Sequence, residues 1–438
     1  MADVDPNASL WAATAAPGEA TPPLKGRHTV DVLVVGGGFT GLSTALHLAE
    51  RHPHLRIAVL EARRVGSGAS GRCGGMALHW FHSPHDGDDE SLVEEWRLTD
   101  EVIASMDGLS ARYAFPLRIR RGGALDVHAP GRDAEQAHKL TERLSGLGLP
   151  VSWLSGRALT ARLDLRDAYG AMYDPDAMVI HPMDWLIGLR EALLGLGVAV
   201  YERSPVTHLS LGAEIEATTE SGQIRANAVV LGTGAWTSSL GLFPHAVLPL
   251  HAHVVATKSF SDSWWTLNGF AGIAGMSDDA PRLGWSALSP MGHLLLGGGS
   301  NDGYAYRACG RRTWPYPRTV AQTEIHSHFT GWMPFLAGAP IERSWTGVVD
   351  LSLDRMPRMG VTGPYNNVYY ALGFSGHGVV MANLAGRVLA DTYDGDTQRW
   401  QNTPFFQQPF RPWPPEPFRW VGYQLATRWT GRSPRARS

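Results

Sequence analysis

Two periods of hydrophobic spacing run along this chain. Short continuous apolar runs occur at 32–35 (VLVV), 57–60 (IAVL), 198–201 (VAVY), 228–231 (AVVL) and 369–372 (YYAL). Runs of this length, bounded by glycine or an acid, predict strands buried in a sheet. Apolar residues at helical spacing predict helices over 42–50, 183–196 and 379–393. More polar helical patterns cover 88–111 and 133–147, with a short strand at 124–127 between them. Residues 215–224 predict a hairpin turning at Glu220-Ser-Gly222. The stretch 250–345 holds strand-like pieces such as 253–257 and 294–296, and the tail 404–438 carries Pro-Trp-Pro-Pro-Glu-Pro. That tail is expected to wrap the fold or to be loosely ordered. Parallel-sheet elements stand at both ends and in the middle, with antiparallel material between. This predicts an α/β chain (α+β overall) of two interleaved domains, without internal repeats.

Length and composition narrow the picture. A chain of 438 residues is too long for one simple core. With 38 basic and 41 acidic residues the net charge is −3, so no strong overall basic field draws nucleic acid or an anionic membrane. Two cysteines, Cys73 and Cys309, are too few for a disulfide framework and fit a reducing cytoplasm. Residues 1–28 lack the basic and apolar regions of a signal peptide. The uncharged stretch 226–257 is broken by Gly232, Gly234, Gly241, Pro244 and Pro249, and reads as a buried strand and loop, not a membrane span.

The first apolar run ends in Gly36-Gly-Gly38-Phe39-Thr40-Gly41, a Gly-x-Gly-x-x-Gly turn opening a helix. Gly36 permits the tight turn, Gly38 lets backbone approach a pyrophosphate, and Gly41 allows close packing of helix on sheet. The helix N-terminus then presents N–H groups to phosphate. The second run stops at Glu61, 20 residues after Gly41, where an acid accepts hydrogen bonds from a ribose diol. These are the marks of a dinucleotide-binding βαβ unit.

Three later features select FAD over a nicotinamide. The loop Gly66-Ser-Gly68-Ala69-Ser70-Gly71-Arg72-Cys73-Gly74-Gly75 implies backbone lying against a bulky, flat ligand. Gly232-Thr233-Gly234 offers a second bare approach at a strand end. Gly373-Phe-Ser375-Gly376-His377-Gly378 is a glycine turn opening a helix, whose N-terminus can stabilise negative charge on a reduced flavin.

With these residues the chain resembles the FAD-dependent oxidoreductases of the D-amino-acid oxidase superfamily, in the branch typified by γ-glutamylputrescine oxidase. Its pattern GASGRNGG is similar to 68–75, W-x-G to Trp345-Thr-Gly347, and R-x-P-x-x-G to 355–360. N-x-Y-Y and G-[FY]-S-G-H-G are similar to 367–370 and 373–378, and an internal His-Pro to His181-Pro182. The likeness covers about 30–395. It implies a glutathione-reductase-type FAD domain (29–105, 171–240 and 345–395), an antiparallel substrate domain (106–170 and 241–344) and a separate tail (396–438).

It also implies a cofactor-facing set. Beyond the glycine turns named above, this set includes Phe39, Thr40, Glu61, Ala62, Arg63, Ala69, Ser70, Arg72, Cys73, Met76, Val206, Thr233, Trp236, Gly347, Ser375, His377 and Val379. Amine oxidation is the implied activity: hydride passes from the carbon next to nitrogen to the flavin, and oxygen or another acceptor takes the electrons on. Gly347 stands where relatives attach FAD to a cysteine, so attachment of that kind is excluded and FAD is expected to be non-covalent. Leu295 stands where relatives keep a lysine above the flavin, and Val380 where a lysine holds a substrate carboxylate. No arginine occurs between Cys73 and Trp96. A larger amine is therefore expected over a small amino acid.

Side chains singled out for chemistry are His377, Cys73, Leu295 and Trp285. His377 can act through its ring or only through its backbone; Cys73 can touch the flavin or fill a small space. His79, His82 and His85 form H-x-x-H-x-x-H, more in keeping with a pocket wall or solvated loop than with a metal site. His251 and His253 can line the pocket or pack in the core. Among sixteen tryptophans, Trp80, Trp264, Trp265 and Trp285 fall in segments expected near the substrate, where aromatic faces can hold an amine.

Overall fold

The computed structural model describes residues 7–16, 18–82, 84–85, 87–306 and 319–430. Its first sheet has eight strands. Gly26–Val35 lies at its centre, parallel to Gly222–Leu231 on one side and to Ile57–Leu60 on the other, with Ala199–Tyr201 beyond. Val368–Leu372 adds in parallel to the end of Gly222–Leu231, and Arg358–Thr362 turns back along it. Every position of Ile57–Leu60 and Val368–Leu372 is buried, as expected for strands covered on both faces. The five parallel strands run the same way. Gly36, Glu61, Glu202, Gly232 and Gly373 consequently follow their last residues at one edge of the sheet, the edge at which open α/β sheets bind ligands.

The helices Phe39–Arg51, Pro182–Gly195 and Gly378–Asp394 cover this sheet. Phe39–Arg51 and Gly378–Asp394 approach so closely that a Cβ on Gly386 would collide with Ser43, whose hydroxyl donates to the Asn383 carbonyl at 3.0 Å.

A second sheet of nine strands is mainly antiparallel. Its longest pair, Val247–Thr257 with Ile341–Ser352, runs in register from Val247 opposite Ser352 to Ala256 opposite Arg343. The strand Ile341–Ser352 delivers Gly347 and Asp350 to the ligand edge of the first sheet. Met76–Ala77, Met178–Ile180 and Ile119–Arg120 form a small third sheet just beyond the Gly66–Gly75 loop. The strand Leu294–Gly298 separates two cores: Leu294 and Leu296 face one, Leu295 the other. This is the period-two alternation of a strand.

Several elements depart from the sequence expectation, among them the helix Thr319–Trp332 within the strand-like stretch 250–345. The hairpin arm and the run 228–231 are a single ten-residue strand, Gly222–Leu231: its polar half, with Gln223 and Arg225, pairs with Ile215–Thr218, itself bordered by the edge strand His208–Ser210, and its apolar half continues into the centre of the sheet. A short helix, Leu10–Thr14, forms in the N-terminal segment. In the tail, Phe418–Thr430 is helical.

Candidate active site

The adenosine end is built from residues close in sequence. Gly36 adopts φ +112°, and a Cβ there would strike the Gly232 carbonyl; a Cβ on Gly41 would strike the Gly36 carbonyl. The glycines thus interlock strand, turn and helix. A Cβ on Gly38 would sit 2.8 Å from the Ser70 hydroxyl, which also accepts from the Phe39 N–H at 3.0 Å. Each Glu61 oxygen accepts one backbone N–H, from Gly37 at 2.8 Å and from Arg63 at 2.9 Å. A carboxylate offers about four acceptor positions, so about two remain. Burial raises the Glu61 pKa, and these two N–H groups oppose that shift. Ala62 and Arg63 are exposed beside it; Thr40 is buried, and Val206 packs at the edge of the sheet core.

The reacting end gathers distant segments. The loop turns through a single 3₁₀ turn, Ala69–Gly71. Arg72 is buried, and its guanidinium donates to Ser67 O at 3.0 Å and to the carbonyls of Asn7 and Thr346. Its own carbonyl accepts from Trp345 Nε1 at 2.8 Å. The Arg72 side chain, expected to face the cofactor, thereby clamps the loop to Ile341–Ser352. The Cys73 carbonyl accepts from Trp11 Nε1 at 2.7 Å and the Gly71 carbonyl from Ser9 Oγ at 2.6 Å. The thiol of Cys73 donates to Ser70 O at 3.3 Å. Burial pushes its pKa to about 11, so it keeps its proton at neutral pH.

Gly74 underlies Trp285: a Cβ there would lie 2.6 Å from the ring. Gly75 has φ +75° and Met76 pairs with Val179. A Cβ on Gly347 would lie 3.3 Å from Arg72 Cβ.

The Gly373–Gly378 turn is held from behind. Asp350 is buried, and its Oδ2 accepts from the Gly373 N–H at 2.7 Å. Burial pushes its pKa to about 6, against hydrogen bonds from Gly373 and Phe374. Ser375 has φ +55°, costly for a residue with a Cβ, and Gly376 has φ +104°. The Ser375 hydroxyl donates to Gly373 O at 2.9 Å, which holds the strained turn. The helix Gly378–Asp394 has no side-chain cap and no acid in its first turn, so its N–H groups and positive end are available; Val379 is buried in that turn. His377 is exposed at the turn yet surrounded by protein. The surrounding protein, then the Arg355 guanidinium, lowers its pKa. Thr233 bonds Thr237 at 2.7 Å; half-buried Trp236 follows, and Gly234 has φ +47° near Asp350.

These features fit FAD. Bare backbone lines the edge where a pyrophosphate could lie, Glu61 keeps acceptors that could hold a ribose, and an uncapped helix N-terminus stands at the opposite end. Phe39, Thr40, Gly41, Glu61, Ser70, Gly232 and Gly373 all lie along this one edge. Gly68 is also open: a Cβ there would meet nothing within 4 Å.

Leu295 and Val380 are buried apolar residues, so neither position offers a cation. Other expectations are corrected. Trp264 and Trp265 belong to the other core, where Trp264 stacks on Phe260 at 3.9 Å; Trp80 packs with Phe405. Only Trp285 of the four meets the flavin loop. The H-x-x-H-x-x-H run disperses. His79 pairs with Asp174 at 2.8 Å and stacks on Trp96, His82 pairs with Glu95, and His85 is exposed. Among the described residues no His, Cys, Asp and Glu group is placed to hold a metal. His253 Nδ1 meets Thr346 Oγ1 at 3.0 Å within the strand pair, and His251 is buried there too. Cys309 lies outside the described residues.

Sequence reasoning missed Asp350, whose signal is a lone acid in the apolar run 348–351, and the N-terminal residues Asn7, Ser9 and Trp11, which carry no such signal. His181 completes their seat: its Nδ1 accepts from the Asp184 N–H at 3.1 Å, so its Nε2 carries the hydrogen and donates to Thr14 Oγ1 at 3.0 Å.

The comparisons with known proteins agree with this geometry. The chain is 31% identical over 399 residues to γ-glutamylputrescine oxidoreductase of Escherichia coli, covering 88% of each chain. It is 29% identical over 390 residues to the probable oxidoreductase OrdL of Haemophilus influenzae, covering 86% of each. Among solved structures, glycine oxidase from Geobacillus kaustophilus superposes with a TM-score of 0.70 at 22% identity, over 86% of this chain and 96% of that one. The profile of the FAD-dependent oxidoreductase (DAO) family matches residues 31–392, and the chain belongs to that family.

Proposed function

We propose that this chain oxidises an amine larger than a simple α-amino acid. The observation that carries the reading is the Gly373–Gly378 turn, held by Asp350 and opening an uncapped helix. When bound, FAD supplies the hydride acceptor, which oxygen or a second acceptor reoxidises. The helix N-terminus Gly378–Asp394 offsets negative charge gained at that end. Trp285, packed on Gly74, walls the site and offers an aromatic face to an amine. The His377 ring, exposed at the turn, can take the ammonium proton on a nitrogen, so that the amine reacts as its free base. Val380 is buried and apolar, which supports the choice of substrate: no cation stands there for a carboxylate. The similarity to γ-glutamylputrescine oxidoreductase supports an amine of the polyamine class. The two cysteines support a reducing cytoplasm as its compartment.

An anaerobic titration tests the reading. The purified yellow protein is mixed with polyamines, γ-glutamylated and N-alkyl amines, and amino acids, and air is then readmitted. Bleaching by amines of the first classes is expected. Bleaching by small amino acids alone overturns the substrate assignment, and no bleaching by any of them makes this a flavin-binding protein without amine oxidation.

A further inference from the structure

The helix Phe418–Thr430 is fastened by one face and bare on the other. On the inner face Arg419 is buried, donating to Pro414 O at 2.9 Å and meeting His245 Nδ1 at 3.0 Å. Tyr423 donates to Tyr304 O at 3.3 Å beneath the Arg282 guanidinium, and Gln424 to Tyr306 O at 3.4 Å. The outer face carries Phe418, Val421 and Leu425, which are 69%, 44% and 62% exposed. At spacing i, i+3, i+7 they form one stripe, and exposed Gly422 and Ala426 lie beside it. In 418–427 the sole charged residue is buried Arg419. A solvated helix puts polar residues outward; this one puts apolar residues there, the mark of a docking face.

Charge identifies the partner. The whole chain is near neutral, yet residues 417–438 contain no Asp or Glu and, besides the buried Arg419, four arginines: Arg428, Arg432, Arg435 and Arg437. We propose that this helix lies in the interface of an anionic lipid bilayer, its apolar stripe at the headgroup–acyl boundary, with the arginines that follow in the sequence, Arg428, Arg432, Arg435 and Arg437, drawn to lipid phosphates. No helix among the described residues is long and apolar enough to cross a membrane, so the contact is peripheral.

Flotation of the full-length, FAD-loaded protein tests this. Phosphatidylcholine vesicles with and without phosphatidylglycerol are compared at low and high salt. The expected result is at least about tenfold more protein floating with the anionic vesicles, declining with salt. The double variant F418S/L425S should lose about tenfold of this binding and keep its flavin spectrum. R432E/R435E/R437E should lose the preference for anionic lipid. The proposal is overturned by absence of flotation, by equal flotation on both vesicles, or by a dimer in sedimentation equilibrium that F418S/L425S dissociates.

Discussion

The two ends of the FAD cradle are assembled in different ways. At the adenosine end, Gly36, Gly38, Gly41 and Glu61 come from one βαβ unit, and backbone contacts within it set their geometry. At the reacting end, the 66–75 loop, Gly347 and the 373–378 turn meet only because buried side chains tie them together. Arg72, Trp345, Asp350 and the N-terminal residues Asn7, Ser9 and Trp11 do that tying. The lesson is that a phosphate site can be made from local backbone, whereas a flavin ring needs walls drawn from the whole fold.

Four experiments break or sharpen this contrast. Gly41→Val is the most severe. Its side chain collides with the Gly36 carbonyl, and because backbone cannot move aside the protein should purify without FAD, read as loss of absorbance near the flavin bands. Trp11→Ala attacks the other end. It empties a fully buried site and frees the Cys73 carbonyl, costing about 3–5 kcal/mol of unfolding stability. Its flavin spectrum should shift, while binding of ADP, which reports only the adenosine end, stays unchanged. Equal loss of ADP and FAD binding would show that the two ends are not separately built.

Next come two pH effects of about 3 kcal/mol and opposite sign, read from chemical melts of apoprotein. Burial lowers His181 from 6.5 to about 4, so the native state holds it neutral. The unfolded chain binds the proton first, and stability is lost as pH falls from 6.5 towards 4. Burial raises Asp350 from 3.8 to about 6, so the native state favours the protonated acid, and stability is lost as pH rises from 3.8 towards 6. His181→Asn should remove the first slope and Asp350→Asn the second. A slope that persists in the variant refutes the assignment of that residue.

The smallest effect is at Glu61. Glu61→Gln keeps one acceptor and loses charge, and should weaken FAD and ADP alike by about tenfold, or about 1.4 kcal/mol, measured by calorimetry. Weakening of FAD alone would place Glu61 away from the adenosine.

How much could be read beforehand follows the same division. The strands, their glycine ends and the FAD family were legible because short buried runs and the glycine turn are local patterns, and so was the edge where they meet. That Leu295 and Val380 bring no cation was legible from residue type alone, whereas their burial follows from strand and helix register. Trp264 and Trp265 look in sequence like Trp285, and only packing separates core from wall. Asp350 left a trace as an acid in an apolar run. Trp11 left none, since its partner is a carbonyl 62 residues away.

The sequence by itself determined a dinucleotide-binding unit, its cofactor and its family, because the glycine turns at Gly36–Gly41 and Gly373–Gly378 are patterns of residues next to one another. Only the tertiary structure decided what stands around the reacting end and which face of the C-terminal helix is left bare. Those depend on contacts between segments far apart in the chain, and on burial, which no single segment specifies alone.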